Sequence, residues 1–193
     1  MRLIKVSLLA IALLFSTVSN AGNLTGMFME SSSIDYQSLD VVLKNKLDKE
    51  LKCLADNIYY EAGAEPFEGR VAVAQVTINR AESGKFPNTI CGVISQKTKI
   101  MTIDENSKPI NKIICQFSWM CTTKRVGPTS KNNTWQDAMD VAKMVLIDGY
   151  RIPVLENALY FHASHVRPGW KLPKVIKVGN HIFYADRKKS TDL

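Results

Sequence analysis

With 193 residues, 46% of them hydrophobic, the chain is long enough for one domain with a proper core and too short for two comfortable ones. Its formal net charge is +7. The lysines and arginines are scattered rather than gathered into a stripe, which argues against nucleic acid; an anionic surface such as a cell wall or lipid headgroups suits the charge better.

Residues 1–21, MRLIKVSLLAIALLFSTVSNA, carry Arg2 and Lys5, an apolar run from Val6 to Phe15, and small residues up to Ala21. This is the pattern of a secretory signal peptide cut after Ala21. The apolar run is shorter than the ~20 residues a bilayer crossing needs, so no transmembrane anchor is expected in the mature form. The first cysteine is Cys53, so lipid attachment at the cut is not expected either. Loss of Arg2 and Lys5 leaves +5 on the mature chain, whose expected location is periplasmic or extracellular.

Residues 22–40 are polar and Gly/Ser-rich without a sustained period, and read as a flexible N-terminal arm. The domain proper is expected over 41–193. Leu43, Leu47, Leu51, Leu54 and Ile58 recur at helical spacing and predict a helix from Val41 to Ala62, stopped by Gly63. A second helix is expected from Pro66, with Glu65 at its cap, Glu68 in its first turn, and a wide apolar arc through Val71, Ala74 and Ile78. Gly84 breaks it, and Pro87-Asn88 opens a short third helix to Ser95.

Residues 96–114 are mostly polar with no clear period and read as a loop with room for a short hairpin. Thr134 and Asp137 form a capping-box pattern for a fourth helix that ends at Gly149. Strands follow at 158–162, 175–178 and 181–184, the last two joined by the turn pair Gly179-Asn180. No internal repeat or low-complexity run is present.

Four cysteines, Cys53, Cys91, Cys115 and Cys121, suit an exported chain with disulfides; three pairings are possible. Cys115 and Cys121 are near enough to close one small loop, which leaves Cys53 with Cys91. The spacings lack the paired CxxC knuckles of a structural zinc site.

One residue interrupts the first helical stripe. Three positions past Ile58 stands Glu61, aimed toward the same apolar side. A buried carboxyl avoids the cost of ionisation by holding its proton, which raises its pKa and makes it a general acid. The competing reading is a carboxylate that turns outward or pairs with Arg80 or Arg70.

The stretch from Cys53 to Val93, CLADNIYYEAGAEPFEGRVAVAQVTINRAESGKFPNTICGV, resembles the catalytic segment of cell-wall hydrolases of the spore-cortex-lytic-enzyme type. The likeness continues in CQFSWMC at 115–121, ALYFHASHVRPGW at 158–170 and VGNHIFY at 178–184, in the family's order. It implies a lysozyme-like α+β fold, mainly helical with a small antiparallel sheet. It also implies an enzyme that cleaves peptidoglycan glycan strands between N-acetylmuramic acid and N-acetylglucosamine, with Glu61 as catalytic acid and no cofactor. A lytic-transglycosylase outcome is suggested, in which one carboxyl donates a proton and then recovers one from the muramic acid 6-hydroxyl.

A two-carboxylate hydrolase would need a second acid, for which Glu65 and Glu68 are the candidates. Tyr60, Phe117, Trp119, Tyr160 and Trp170 are candidate sugar-stacking residues, with Glu65, Gln116, Ser118, His162 and His181 as polar contacts. His165 is expected on the surface. His162 and His165 are three apart, but without an HExxH or a further ligand they give no strong metal site. Two departures from the family's pattern stand out: Gly63-Ala64 replaces its usual Arg-Gly before the second glutamate, and Thr122-Thr123 follows the second cysteine of the CQFSWMC-like loop in place of Asp-Gly. The 96–114 segment looks longer than in compact members and suggests a flap over the glycan groove. The rival functions are a non-catalytic peptidoglycan-binding protein and a zinc peptidase of wall peptides. No separate wall-binding module is recognisable, so targeting is expected to rest on the domain itself or on an unidentified partner.

Overall fold

A computed structural model describes residues 36–122 and 133–187. The expected signal peptide and nearly all of the arm lie outside them. The chain divides into two compact units, Met1–Leu39 and Asp40–Leu193. Of the first, only the opening of one helix is described; the second holds all that follows.

Helix α1 (Tyr36–Ala62) begins five residues ahead of the expected start. Its stripe turns inward only from Leu51, where residues of α2 (Phe67–Glu82), α3 (Ile90–Ser95) and α4 (Asn133–Leu146) supply the packing. Leu43 and Leu47, expected on the same buried face, are 54% and 42% exposed. They border an open groove shared with Ile78, Ile90 and Leu146. After Ala62 the chain turns sharply at Gly63, where a Cβ would stand 2.5 Å from the carbonyl oxygen of Tyr59. Only glycine fits that approach.

Helix α2 is central, as the wide apolar arc predicts: every residue from Val71 to Ile78 is buried. One side meets α1, α3 and α4; the other meets Ala62, Leu155, Ala158 and Phe183 in a second cluster. Gln75 extends this second junction, donating to the Ile152 carbonyl at 3.1 Å and accepting from the Ile152 amide at 2.7 Å. The α3 helix is capped by Thr89, whose hydroxyl accepts from the Gly92 amide at 3.0 Å.

The polar stretch after α3 is a regular hairpin. Strand β1 (Lys97–Ile103) pairs antiparallel with β2 (Pro109–Cys115), in register from Lys97 opposite Cys115 to Ile103 opposite Pro109. Asp104 closes the turn, its side chain accepting from the amides of Asn106 and Lys108. A 3₁₀ turn (Ser118–Cys121) follows β2. In α4, Thr134 lies inside the first turn rather than ahead of it, and Asp137 forms an ion pair with Arg70 of α2 at 2.8 Å. The capping-box reading of this pair is thereby replaced by a helix-to-helix contact.

Strands β3 (Ala158–Ala163), β4 (Lys174–Val178) and β5 (His181–Ala185) form an antiparallel sheet in the order β3-β5-β4. Gly179, at φ 55°, makes the β4–β5 turn as expected. Disulfides join Cys53 to Cys91 and Cys115 to Cys121, the pairing favoured from the spacing. The domain is thus α+β, mainly helical with small antiparallel sheets.

Candidate active site

The site starts from a buried polar chain. Asn57 of α1 donates to the Thr77 hydroxyl on α2 at 3.1 Å, and Thr77 donates onward to the Val73 carbonyl at 2.9 Å. The Asn57 carbonyl oxygen accepts from the indole N–H of Trp119 at 3.1 Å. Buried amides and hydroxyls are costly when unpaired, and here each finds a partner, so α1, α2 and the 3₁₀ turn are fixed to one another. Trp119, held by its edge, stacks on Tyr60 with ring centroids 4.5 Å apart and planes 19° off parallel. Tyr59 meets Tyr60 edge-on at 5.1 Å.

Glu61 follows Tyr60 at the end of α1. It is partly buried, and burial pushes its pKa up from 4.5 to about 7, with the positive charge of Arg80 pulling the other way. It forms no salt bridge among the described residues. The ion pair with Arg80 or Arg70 offered by the competing reading is therefore not made: Arg70 is engaged by Asp137, and Arg80 acts on Glu61 only through its field.

Arg80, near the end of α2, is 3% exposed. Its Nε donates to the Leu159 carbonyl at 2.7 Å, and its guanidinium lies over the rings of Phe117, Phe86 and Phe161 at 5.3, 5.4 and 5.6 Å. Burial lowers its pKa to about 10, against the pull of Tyr160 and Glu61, so it stays charged at neutral pH.

A second aromatic group is built on the β3–β5 sheet. Tyr160, His162 and Tyr184 lie with Trp170, whose ring is 6.2, 5.7 and 6.0 Å from theirs. The His162 Nδ1 is 2.9 Å from the Ala163 carbonyl, which can only accept. The neutral ring must then carry its proton there, leaving Nε2 to accept from the Tyr184 hydroxyl at 2.9 Å. Trp170 is 46% exposed and offers a face to a ligand.

Other expected residues are placed differently. Phe117 is 2% exposed and packs in the core, so it presents no surface to a sugar. Glu65 is buried and accepts from the Asn180 amide at 2.8 Å, fastening the β4–β5 turn to the start of α2. His181 is also buried, 3.8 Å from the Glu65 carboxylate, with its ring edge-on to Phe161; burial holds its pKa below the ordinary value despite Glu65. Neither residue is available as a surface contact. Gln116 is partly buried with its backbone N–H donating to the Gln96 carbonyl, while Ser118, Glu68 and His165 are exposed. Among the described residues no group of three or more His, Cys, Asp or Glu could hold a metal ion.

Asn57 and Tyr184 were not expected, and Arg80 was expected only as an ion-pair partner. Asn57 had a signal: it lies one helical turn before Glu61, within a buried segment where a polar side chain needs a partner. Tyr184 had none beyond its strand.

The chain belongs to the cell wall hydrolase family, whose model matches residues 64–184, more than half of its length. The match begins three residues after Glu61, so the carboxyl itself lies outside it. The chain is 26% identical over 170 residues to a spore cortex-lytic enzyme of Bacillus cereus, covering 86% of this chain and 56% of that one. To the spore cortex-lytic enzyme of Bacillus subtilis it is 27% identical over 139 residues, 70% of this chain and 37% of the relative. It spans about half the length of the curated relatives it matches. Among solved structures, the catalytic domain of the Bacillus cereus SleB protein is similar with a TM-score of 0.48 at 25% identity, over 71% of this chain and 90% of the other. The catalytic domain of the germination-specific lytic transglycosylase SleB from Bacillus anthracis gives 0.48 at 27% identity, over 70% and 93%.

Proposed function

We propose that the chain is an exported enzyme that cleaves the glycan strand of peptidoglycan between N-acetylmuramic acid and N-acetylglucosamine, as a lytic transglycosylase with Glu61 as its single acid and base. The observation that carries this reading is the partly buried Glu61 carboxyl, its pKa pushed up to about 7, next in the chain to Tyr60, whose ring stacks on Trp119. A carboxyl in that range is about half protonated near neutrality, and is a usable base once it has given its proton away. Membership of the cell wall hydrolase family and the similarity to spore cortex-lytic enzymes support the substrate class.

In the first step Glu61 donates its proton to the glycosidic oxygen and the bond to the muramic acid C1 breaks. In the second, the Glu61 carboxylate takes the proton of the same sugar's 6-hydroxyl as that oxygen bonds to C1. The 1,6-anhydro product forms without water and Glu61 ends protonated, as it began. Support for one acid rather than two comes from the other glutamates: Glu65 is committed to the Asn180 amide and Glu68 stands on the exposed first turn of α2. The exposed Trp170, with Tyr160 and His162, is the proposed second contact for the glycan.

The test is digestion of purified peptidoglycan by residues 22–193 beside the Glu61→Gln variant, with the released fragments read by mass spectrometry. Anhydromuramic ends from the first protein and none from the variant are expected. Reducing ends would replace the transglycosylase reading with hydrolysis. Binding without release by either protein would make the chain a glycan-binding protein.

A further inference from the structure

Two helices cross at the Asn57–Thr77 hydrogen bond. Glu61 lies four residues past Asn57 on α1, and Arg80 three residues past Thr77 on α2. Those spacings keep each on the face its predecessor uses, so both side chains leave their helices one turn beyond the same buried contact.

Arg80 is an unusual group to find there. A buried guanidinium ordinarily has a carboxylate in contact, because desolvating a charge is expensive unless it is paired. Arg80 forms no salt bridge among the described residues, and its Nη1 has no hydrogen-bond partner. What holds it are the Leu159 carbonyl and three phenylalanine faces, which attract a cation without neutralising it. Its charge is therefore unspent, and the low-dielectric surroundings carry its field further than water would.

We infer that Arg80 is a positioning residue for Glu61: a caged cation, short of ion-pairing contact, that stabilises the carboxylate Glu61 becomes when it donates its proton. The inference rests on the proposed role of Glu61 as the acid. A contact ion pair would keep Glu61 ionised and leave no proton to give. A buried carboxyl without a nearby cation would hold its proton too tightly to give it up. The opposed effects of burial and of Arg80 on Glu61 agree with this balance. Among the described residues, the charged or titratable groups acting on the pair are these two and the Tyr160 phenol on β3.

The experiment is a carboxyl carbon NMR titration of glutamate-labelled protein, with the Glu61 signal assigned by its loss in Glu61→Gln. It is run on the wild type, Arg80→Lys and Arg80→Met, alongside glycan cleavage between about pH 5 and 9. With Met, the Glu61 midpoint is expected to rise by about one unit and the alkaline limb of cleavage to move with it. The turnover rate is expected to fall by about tenfold with KM little changed, a split that general loosening of the fold would not give. Lys should restore most of both. If Met prevents folding, Arg80→Gln, which can still donate to the Leu159 carbonyl, makes the same comparison. A Glu61 midpoint unchanged in a folded, neutral variant overturns the role of Arg80. A wild type without cleavage, or an active Glu61→Gln, overturns the enzymatic reading instead.

Discussion

A carboxyl whose pKa rises from 4.5 to about 7 on folding makes the folded state less stable as pH climbs through that interval, because the unfolded chain gives up a proton that the folded chain retains. The stability that goes with the protonated form is fully present below pH 4.5 and lost by the time pH passes about 7. Glu61→Gln, which cannot ionise, should therefore be more stable than the wild type above neutrality, by about 1–3 kcal/mol once partial solvent exposure is allowed for. Below pH 4.5 the two should unfold alike, a pattern that urea denaturation at both pH values would reveal. The same substitution should abolish cleavage, so stability and activity move in opposite directions. The direction of Glu61 was legible in the sequence because the helical period fixes which way a side chain leaves a stripe. Its tuning was not, since burial and Arg80 act on it through tertiary packing that no local spacing records.

The buried link from Thr77 through Asn57 to Trp119 joins three elements, and its removal should be felt in all of them. Asn57→Ala removes both the bond that the Trp119 indole donates and the bond that the Thr77 hydroxyl accepts, and should cost about 2–4 kcal/mol in a denaturant titration. Trp119 fluorescence should shift as its ring loosens from Tyr60. The helices were readable from their period, as were the three strands around Gly179-Asn180. The β1–β2 hairpin was harder to read, because both of its faces are largely exposed and neither imposes an apolar alternation. Met101, Ile103 and Ile113 stand out in solvent on it, and β2 runs through Gln116 and Phe117 into the turn that bears Trp119. If this hairpin serves as a flap over the glycan, cleaving its tip at 104–108 should weaken glycan binding and turnover; unchanged values after the cut would remove that role. In α4 the pattern misled for a physical reason: an acid three residues past a threonine is also well placed to reach across to a neighbouring helix, and Asp137 does so.

Across the whole molecule the two disulfides are unequal. Cys53–Cys91 spans a separation of 38 residues and ties α1 to α3, whereas Cys115–Cys121 closes only 6. From loop-closure entropy the first should contribute about 4 kcal/mol and the second about 2 kcal/mol. Replacing Cys53 and Cys91 by serine should lower the melting temperature more than replacing Cys115 and Cys121. The overall class was legible because segments carrying the family likeness are spread along most of the domain. The burial of Phe117, Glu65 and His181 was not, since a motif marks where residues recur without saying which of them face inward.

Arg80 is held by the carbonyl of Leu159 and the ring of Phe161, nearly eighty residues further along the chain. The helix that carries Glu61 can close from local contacts, while β3 must arrive from a distance, which makes its docking a late event. Until then Arg80 lacks the carbonyl and the ring on β3 that hold it. A chain that has its helices but not its sheet has Arg80 unanchored, so on the proposed reading the tuning of Glu61 is completed by a long-range contact rather than by the residue itself.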